Sequence, residues 1–281
     1  MDAVYWHDDT WSEENPKLIG PRDHAFWMSS VVFDGARAFG GLAPDVDQHC
    51  ERLCASARKM QLQPTMTPQA ITDLCLEAVR KFPKEAELYI RPMFYATDGF
   101  ILPEPESTQF VLAVYEAPMP AFEGIGVCLS SRRRPARDMA PTDAKASCLY
   151  PNGGRALREA IDRGFENCLI QDANGNIAEL ATANVWMVKD GKAYTPMWNG
   201  TFLNGVTRQR LAELLRADGI EVIEAGLTLE DFLEADEVFS SGNYGKVTPI
   251  TRVEDRHLQR GPVTQRARDL YWDYSAGHQV F

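Results

Sequence analysis

The chain has 281 residues, 44% hydrophobic and 25% charged, close to the averages of soluble globular proteins, which rules out overall disorder. That length suits one to two domains and buries a sizeable core without metal or disulfide staples. With 29 Lys and Arg against 40 Asp and Glu, the net charge of −11 argues against a sequence-independent nucleic-acid binder and against docking on an anionic membrane surface. No apolar run reaches about 18 residues, so no transmembrane helix is expected. The start, Met1 to Asp9, has no basic segment followed by an apolar one and does not read as a signal peptide. Cys50, Cys54, Cys75, Cys128, Cys148 and Cys168 form no C-x-x-C pair. Reduced core thiols in a cytoplasmic protein are expected.

The first fifty residues read as loop and strand, with Trp6, Trp11 and Trp27 as apolar anchors. A strand over 31–33 meets a tight backbone feature at Asp34 and Gly35. The spacing of Cys50, Leu53, Cys54, Ala57 and Met60 predicts a helix over 47–60. A second helix starts at a Thr67 cap with Pro68 in its first turn and buries Ile71, Leu74, Cys75, Ala78, Val79 and Phe82. Strands are predicted over 88–96 and 109–115. The Pro- and Gly-containing stretch 117–124 reads as a linker between an N-terminal domain (1–116) and a larger C-terminal domain (125–281).

The second half opens with a strand over 125–130 and a basic loop, Arg132 to Arg137. A helix over 152–163 ends at Gly164. Two hairpins are predicted, around Asp172–Gly175 and around Asp190–Gly191. A helix over 207–217, a strand over 237–241 and a final helix over 262–274 follow. Strands and helices mix without a regular βαβ alternation, so the fold class is α+β, or irregular α/β.

Several signals carry little. Gly124-Ile-Gly126 lacks the third glycine of a dinucleotide fingerprint and is followed by a strand. The five histidines are scattered, and His7-Asp8-Asp9 reads as a solvated loop. Arg132 to Arg134 reads as a solvated or ion-paired face. Four others converge. Lys145 sits among small residues, where a desolvated amine can form a Schiff base, although most lysines are merely exposed. Gly205-Val206-Thr207-Arg208 opens a helix and offers backbone N–H groups to a phosphate, or only a cap. Ser240 to Tyr244 gathers small donors at a strand end. Glu179 follows a hairpin, where a solvent-facing carboxylate is the plain alternative. A lysine, a carboxylate and two phosphate cradles together are what pyridoxal phosphate (PLP) requires, with no metal.

On these residues the chain resembles the fold type IV PLP aminotransferases, most closely the branched-chain amino acid aminotransferases. Asp23 to Arg37 is similar to their S-V-F-E-G-I-R stretch, and His49-Cys-Glu-Arg-Leu53 to their H-x-x-R-L. Tyr89-Ile-Arg-Pro92 is similar to Y-I-R-P, and Pro141 to Tyr150 to P-T-x-x-K-x-x-x-x-Y. Glu179 to Asn184 with Leu203 to Arg208 is similar to the class signature. Ala235 to Gly242 and Val247 to Ile250 are similar to the closing strands.

The resemblance implies a two-domain architecture with the cofactor between the domains and its lysine in the C-terminal one. It implies a homodimer with shared active sites. It gives Lys145 as the aldimine lysine and general base, Tyr150 facing the cofactor O3′ and Glu179 on the ring nitrogen. The phosphate falls to Arg52, Gly205, Val206, Thr207, Gly242 and Asn243. Phe33, Gly35, Arg37, Tyr89, Arg91 and Tyr244 become pocket candidates, with Arg37 or Arg91 for a substrate carboxylate. The implied reaction moves the amino group of leucine, isoleucine or valine to 2-oxoglutarate.

There are departures from the family pattern. Trp186 replaces Phe or Tyr, Ala193 replaces a larger aliphatic, Met28 stands where a Tyr is common, Ala183 lacks an acidic group, and Asn243-Tyr244 replaces Thr-Ala. They are expected to touch substrate choice more than cofactor chemistry. A D-amino acid or (R)-amine transaminase, an aminodeoxychorismate lyase and a non-catalytic binding protein stay open.

Overall fold

The computed structural model describes residues 2–281, and among them the chain packs as two compact units. The first unit comprises residues 2–119 together with Ala144–Leu149 and Ser275–Phe281. The second comprises Pro120–Asp143 and Tyr150–Tyr274.

The first unit contains β1 (Ala3–His7), β2 (Thr10–Ser12), α1 (His24–Met28), β3 (Val31–Phe33), β4 (Ala36–Ala38), α2 (Val46–Lys59), α3 (Pro68–Val79), β5 (Leu88–Ala96) and β6 (Thr108–Glu116). Its antiparallel sheet runs β2-β1-β6-β5-β3, with β4 also paired to β5. Residues 7–9 turn out to be the corner of a hairpin. Asp8 and Asp9 both take left-handed φ, 47° and 56°, which matches the twist of the flanking strands.

Alternation along β5 sends Leu88, Ile90 and Phe94 into the core. There they meet Cys50, Leu53, Cys54 and Ala57 of α2 and Ile71, Cys75 and Ala78 of α3. Each large apolar side chain so buried contributes about 1.5–3 kcal/mol. Tyr89, Arg91 and Met93 point to the opposite face. Helix α3 begins as its sequence dictates, with the Thr67 hydroxyl accepting from the Ala70 N–H at 3.2 Å. The chain's last residues complete this unit. Val280 is buried in its core, donates to the Gly41 carbonyl and accepts from Arg80 Nε.

The second unit contains β7 (Ile125–Arg133), α4 (Tyr150–Asp162), β8 (Asn167–Gln171), β9 (Ile177–Leu180), β10 (Asn184–Lys189), β11 (Lys192–Pro196), α5 (Val206–Ala217), β12 (Val222–Ala225), α6 (Leu229–Glu234), β13 (Glu237–Gly242), β14 (Lys246–Val253), β15 (Arg256–His257) and α7 (Pro262–Ser275). Its mixed sheet runs β12-β11-β10-β13-β14-β7-β8-β9, with β15 on β14. Parallel pairing joins β11 to β12, β14 to β7 and β7 to β8. Trp186 is fully buried, stacked on Phe239 with ring centroids 5.6 Å apart, and its Nε1 donates to Ser241 Oγ. Trp186 thus packs in the core of the second unit. Glu237, also buried, accepts from the Val263 and Thr264 N–H groups and so caps α7.

Two further expectations change. Arg132 and Arg133 extend β7 and are not loop residues. Lys145, placed by the sequence reading in the C-terminal domain, lies in the first unit. Ala146 bridges to Val32 of β3, a long-range pairing with no local signature. Five of the six free cysteines are buried as expected, and Cys148 is exposed.

Candidate active site

The first unit holds the amine. Lys145 lies between buried Ala144 and Ala146 in an extended stretch against β3. Its N–H donates to Ser56 Oγ at 3.0 Å, and its carbonyl accepts from the Phe33 N–H at 3.1 Å. The backbone is thus pinned on both sides, and Nζ sits 4.9 Å from the Phe33 ring centroid.

Beside it, Asp34 is fully buried at the end of β3. Its carboxylate accepts from Gly35 N–H (2.7 Å), His49 Nδ1 (2.7 Å), Arg52 Nε (2.8 Å) and Arg52 Nη2 (2.8 Å). An ionised carboxylate only accepts, so the His49 proton is on Nδ1. Burial alone would raise the Asp34 pKa. The charges of Arg52 and His49 and their hydrogen bonds outweigh it and hold the group far below the usual carboxylate range. Arg52 is therefore braced in a two-pronged, charge-assisted pair. Gly35 owes its place to this carboxylate, which fixes its N–H.

On the open face of the first sheet, a cavity of about 220 Å³ is lined by Tyr5, Leu18, Arg91, Met93, Val111 and Tyr115, among others. Arg91 donates to the Tyr115 hydroxyl and lies 5.1 Å from the ring centroids of both Tyr89 and Tyr115. Burial pushes the Tyr115 phenol up despite Arg91, so it stays protonated at neutral pH. Arg91 Nε is buried and has no hydrogen-bond partner among the described residues. Arg37, the other candidate for a carboxylate, is wholly buried, with Nη2 on the Ala117 carbonyl and Nε on Met119 Sδ. Arg91, and not Arg37, faces the cavity.

The second unit holds a carboxylate and a candidate anion cradle. Glu179 on β9 is mostly buried and lies 3.3 Å from Arg134 Nε, which also donates to the Thr201 carbonyl. The cradle begins at α5. The Gly205 N–H is already taken by Asn184 Oδ1 at 3.2 Å, so Gly205 is a spacer and not a donor. A Cβ there would stand 2.2 Å from that oxygen, which is why glycine is required. The N–H groups of Val206 and Thr207, in the first turn, have no acceptor within the helix and carry its positive dipole end. Gly242 ends β13, where an added Cβ would meet that of Ala183 at 3.0 Å. Small residues on both sides thus let the strand end come close to residues 182–184. Asn243 follows, with a buried Nδ2 that has no hydrogen-bond partner among the described residues. Tyr150 opens α4 and Tyr244 caps the hairpin, both exposed.

The family model for amino-transferase class IV matches residues 31–253. The chain belongs to the class IV aminotransferases. A branched-chain-amino-acid aminotransferase of Pseudomonas aeruginosa is 31% identical over 98% of this chain and 94% of its own. That of Escherichia coli K12 is 31% identical with the same coverage. Among solved structures, an aminotransferase from Brucella abortus bound to PLP superposes with a TM-score of 0.97 at 45% identity, covering 98% of this chain and 100% of that one. A branched-chain aminotransferase from Thermoproteus uzoniensis with norvaline gives 0.91 at 29% identity, covering 99% and 96%.

Two residues at the candidate site carry no sign of their contacts in the sequence: Asp34 reads only as part of a turn, and Arg134 as one of a solvated basic run.

Proposed function

We propose that this aminotransferase uses PLP to move the amino group of a branched-chain L-amino acid to 2-oxoglutarate. The observation that carries the reading is the pinned seat of Lys145. The site residues also fit the cofactor's charges. An orphan donor on Asn243 and the open N-terminus of α5 suit a phosphate, and a carboxylate on Glu179 suits a protonated ring nitrogen. The PLP-bound relative at 45% identity supports it.

PLP, when bound, supplies an aldehyde that condenses with amines and a ring that accepts electron density. The residues then have distinct tasks. Lys145 Nζ would hold the cofactor, and its free amine would take a proton from the substrate Cα as a positioned base. Glu179, steadied by Arg134, keeps a proton on the ring nitrogen. Tyr150 offers its hydroxyl to O3′. Val206, Thr207, Gly242 and Asn243 are assigned to the phosphate, as is Arg52 on its Asp34 brace. Phe33, Gly35 and Tyr89 of the first unit and Tyr244 of the second are assigned to the substrate, and Arg91 to a substrate carboxylate. Leu18, Met93, Val111 and Ala113 give the cavity beside Arg91 an apolar wall suited to an aliphatic side chain.

A homodimer is part of the proposal. Phe26, Trp27, Phe100, Ile101 and Leu102 form an exposed apolar cluster on α1 and the nearby turn, with Trp27 and Phe100 rings 5.7 Å apart. Light scattering at micromolar concentration should give twice the chain mass. A cytoplasmic location is proposed from the free, mostly buried thiols. No helix among the described residues is long and apolar enough to cross a membrane.

A donor panel tests the substrate. L-leucine, L-isoleucine and L-valine with 2-oxoglutarate should outpace D-alanine and an (R)-amine. Inactivity with all three, alongside activity on another donor, would overturn the specificity and leave the cofactor reading intact.

A further inference from the structure

The hairpin between β13 and β14 breaks two local rules at a single residue. Lys246 has φ of +58°, in the left-handed region that favours glycine, and it is wholly buried. A lysine is costly to bury and is kept charged only in suitable company. Conflicts of this kind persist where a site uses them.

The company is informative. Lys246 Nζ donates to Asn243 Oδ1 at 2.9 Å and lies 5.5 Å from the Tyr271 ring centroid. An ammonium group only donates. The Asn243 amide must therefore turn its oxygen toward Lys246 and its Nδ2 away from it. That Nδ2 is the buried donor with no hydrogen-bond partner among the described residues. Gly242, one residue earlier, closes on Ala183, and Asn184 beside it holds the start of α5.

We propose that Lys246 is a positioning residue for an anion, fixing the Asn243 amide with its N–H groups toward the cradle and adding a buried positive charge behind it. An amide whose oxygen is bound to a cation is a stronger N–H donor. Naming the anion as the cofactor phosphate rests on the reading given under Proposed function. The lysine departs from glycine at this backbone position for its charge, and the strained turn is tolerated because that charge is used.

The test separates phosphate from the rest of the cofactor. The full-length protein, stripped of cofactor, is titrated with PLP and with pyridoxal, which has the same ring and aldehyde but no phosphate. Wild type, Lys246→Met, Lys246→Gly and Asn243→Ala are compared. Lys246→Gly removes the amine and relaxes the backbone, so it decides the matter should Lys246→Met not fold. Loss of the lysine should weaken PLP about tenfold or more and pyridoxal less than about twofold. In the Asn243→Ala background, removing Lys246 should add less than its effect alone. Equal loss for both ligands, or no loss for either, would overturn the proposal. A wild-type protein that binds neither ligand would instead overturn the cofactor reading on which it rests.

Discussion

Replacing Asp34 by Ala removes the acceptor of four donors at once. The carboxylate is wholly buried, and Arg52, whose side chain is 17% exposed, would be left facing the gap with His49. Breaking a buried pair by removing one partner costs about 3–5 kcal/mol. With a urea slope of about 3 kcal/mol/M, the unfolding midpoint falls by about 1 M or more. The pH dependence carries a sign. Asp34 is depressed in the folded state, so its contribution is fully present above the ordinary carboxylate value, about 4, and drains as pH falls below it. The gap between wild type and Asp34→Ala is therefore widest at neutral pH and narrows in acid. Urea titrations of both proteins at pH 7, 5 and 3.5 measure it. A gap under about 1 kcal/mol at pH 7, or one that widens on acidification, would refute the reasoning.

Other changes test other parts. Lys145→Ala should cost about 10³-fold or more in transamination rate and abolish the visible absorbance of the purified protein, with the melting temperature little changed. Arg91→Leu should raise KM for 2-oxoglutarate about tenfold or more in initial-rate kinetics, since the guanidinium is assigned to a substrate carboxylate. Gly261→Ala would place a Cβ 2.0 Å from Glu237 Cδ and displace the carboxylate that caps α7. It should lower stability by about 1–3 kcal/mol, read as a drop of several degrees in Tm.

Much of this molecule is legible residue by residue. The alternation from Leu88 to Ala96 fixes both the strand and its core face. Thr67 and Pro68 fix where α3 starts. Other elements hide for physical reasons. The β1–β2 corner uses two aspartates at positive φ where glycine or asparagine is the usual sign. Helix α6 is a six-residue piece whose capping box, Thr228 with Asp231, closes a helix too short to show a period. At the site, Lys145 and Glu179 were legible as residue types in a resembling pattern. The brace on Arg52, the Arg134 contact with Glu179 and the burial of Lys246 were not, because each depends on partners set by tertiary packing.

The three-piece make-up of the first unit bears on how the protein is made. Residues 2–119 lack the 144–149 stretch that lies on β3 and the C-terminal segment that puts Val280 into the core. On the ribosome, its sheet and helices emerge early but wait for residues 275–281 before their core is closed. Disrupting residues 275–281 would strike a core built mostly by residues 2–119, far earlier in the chain.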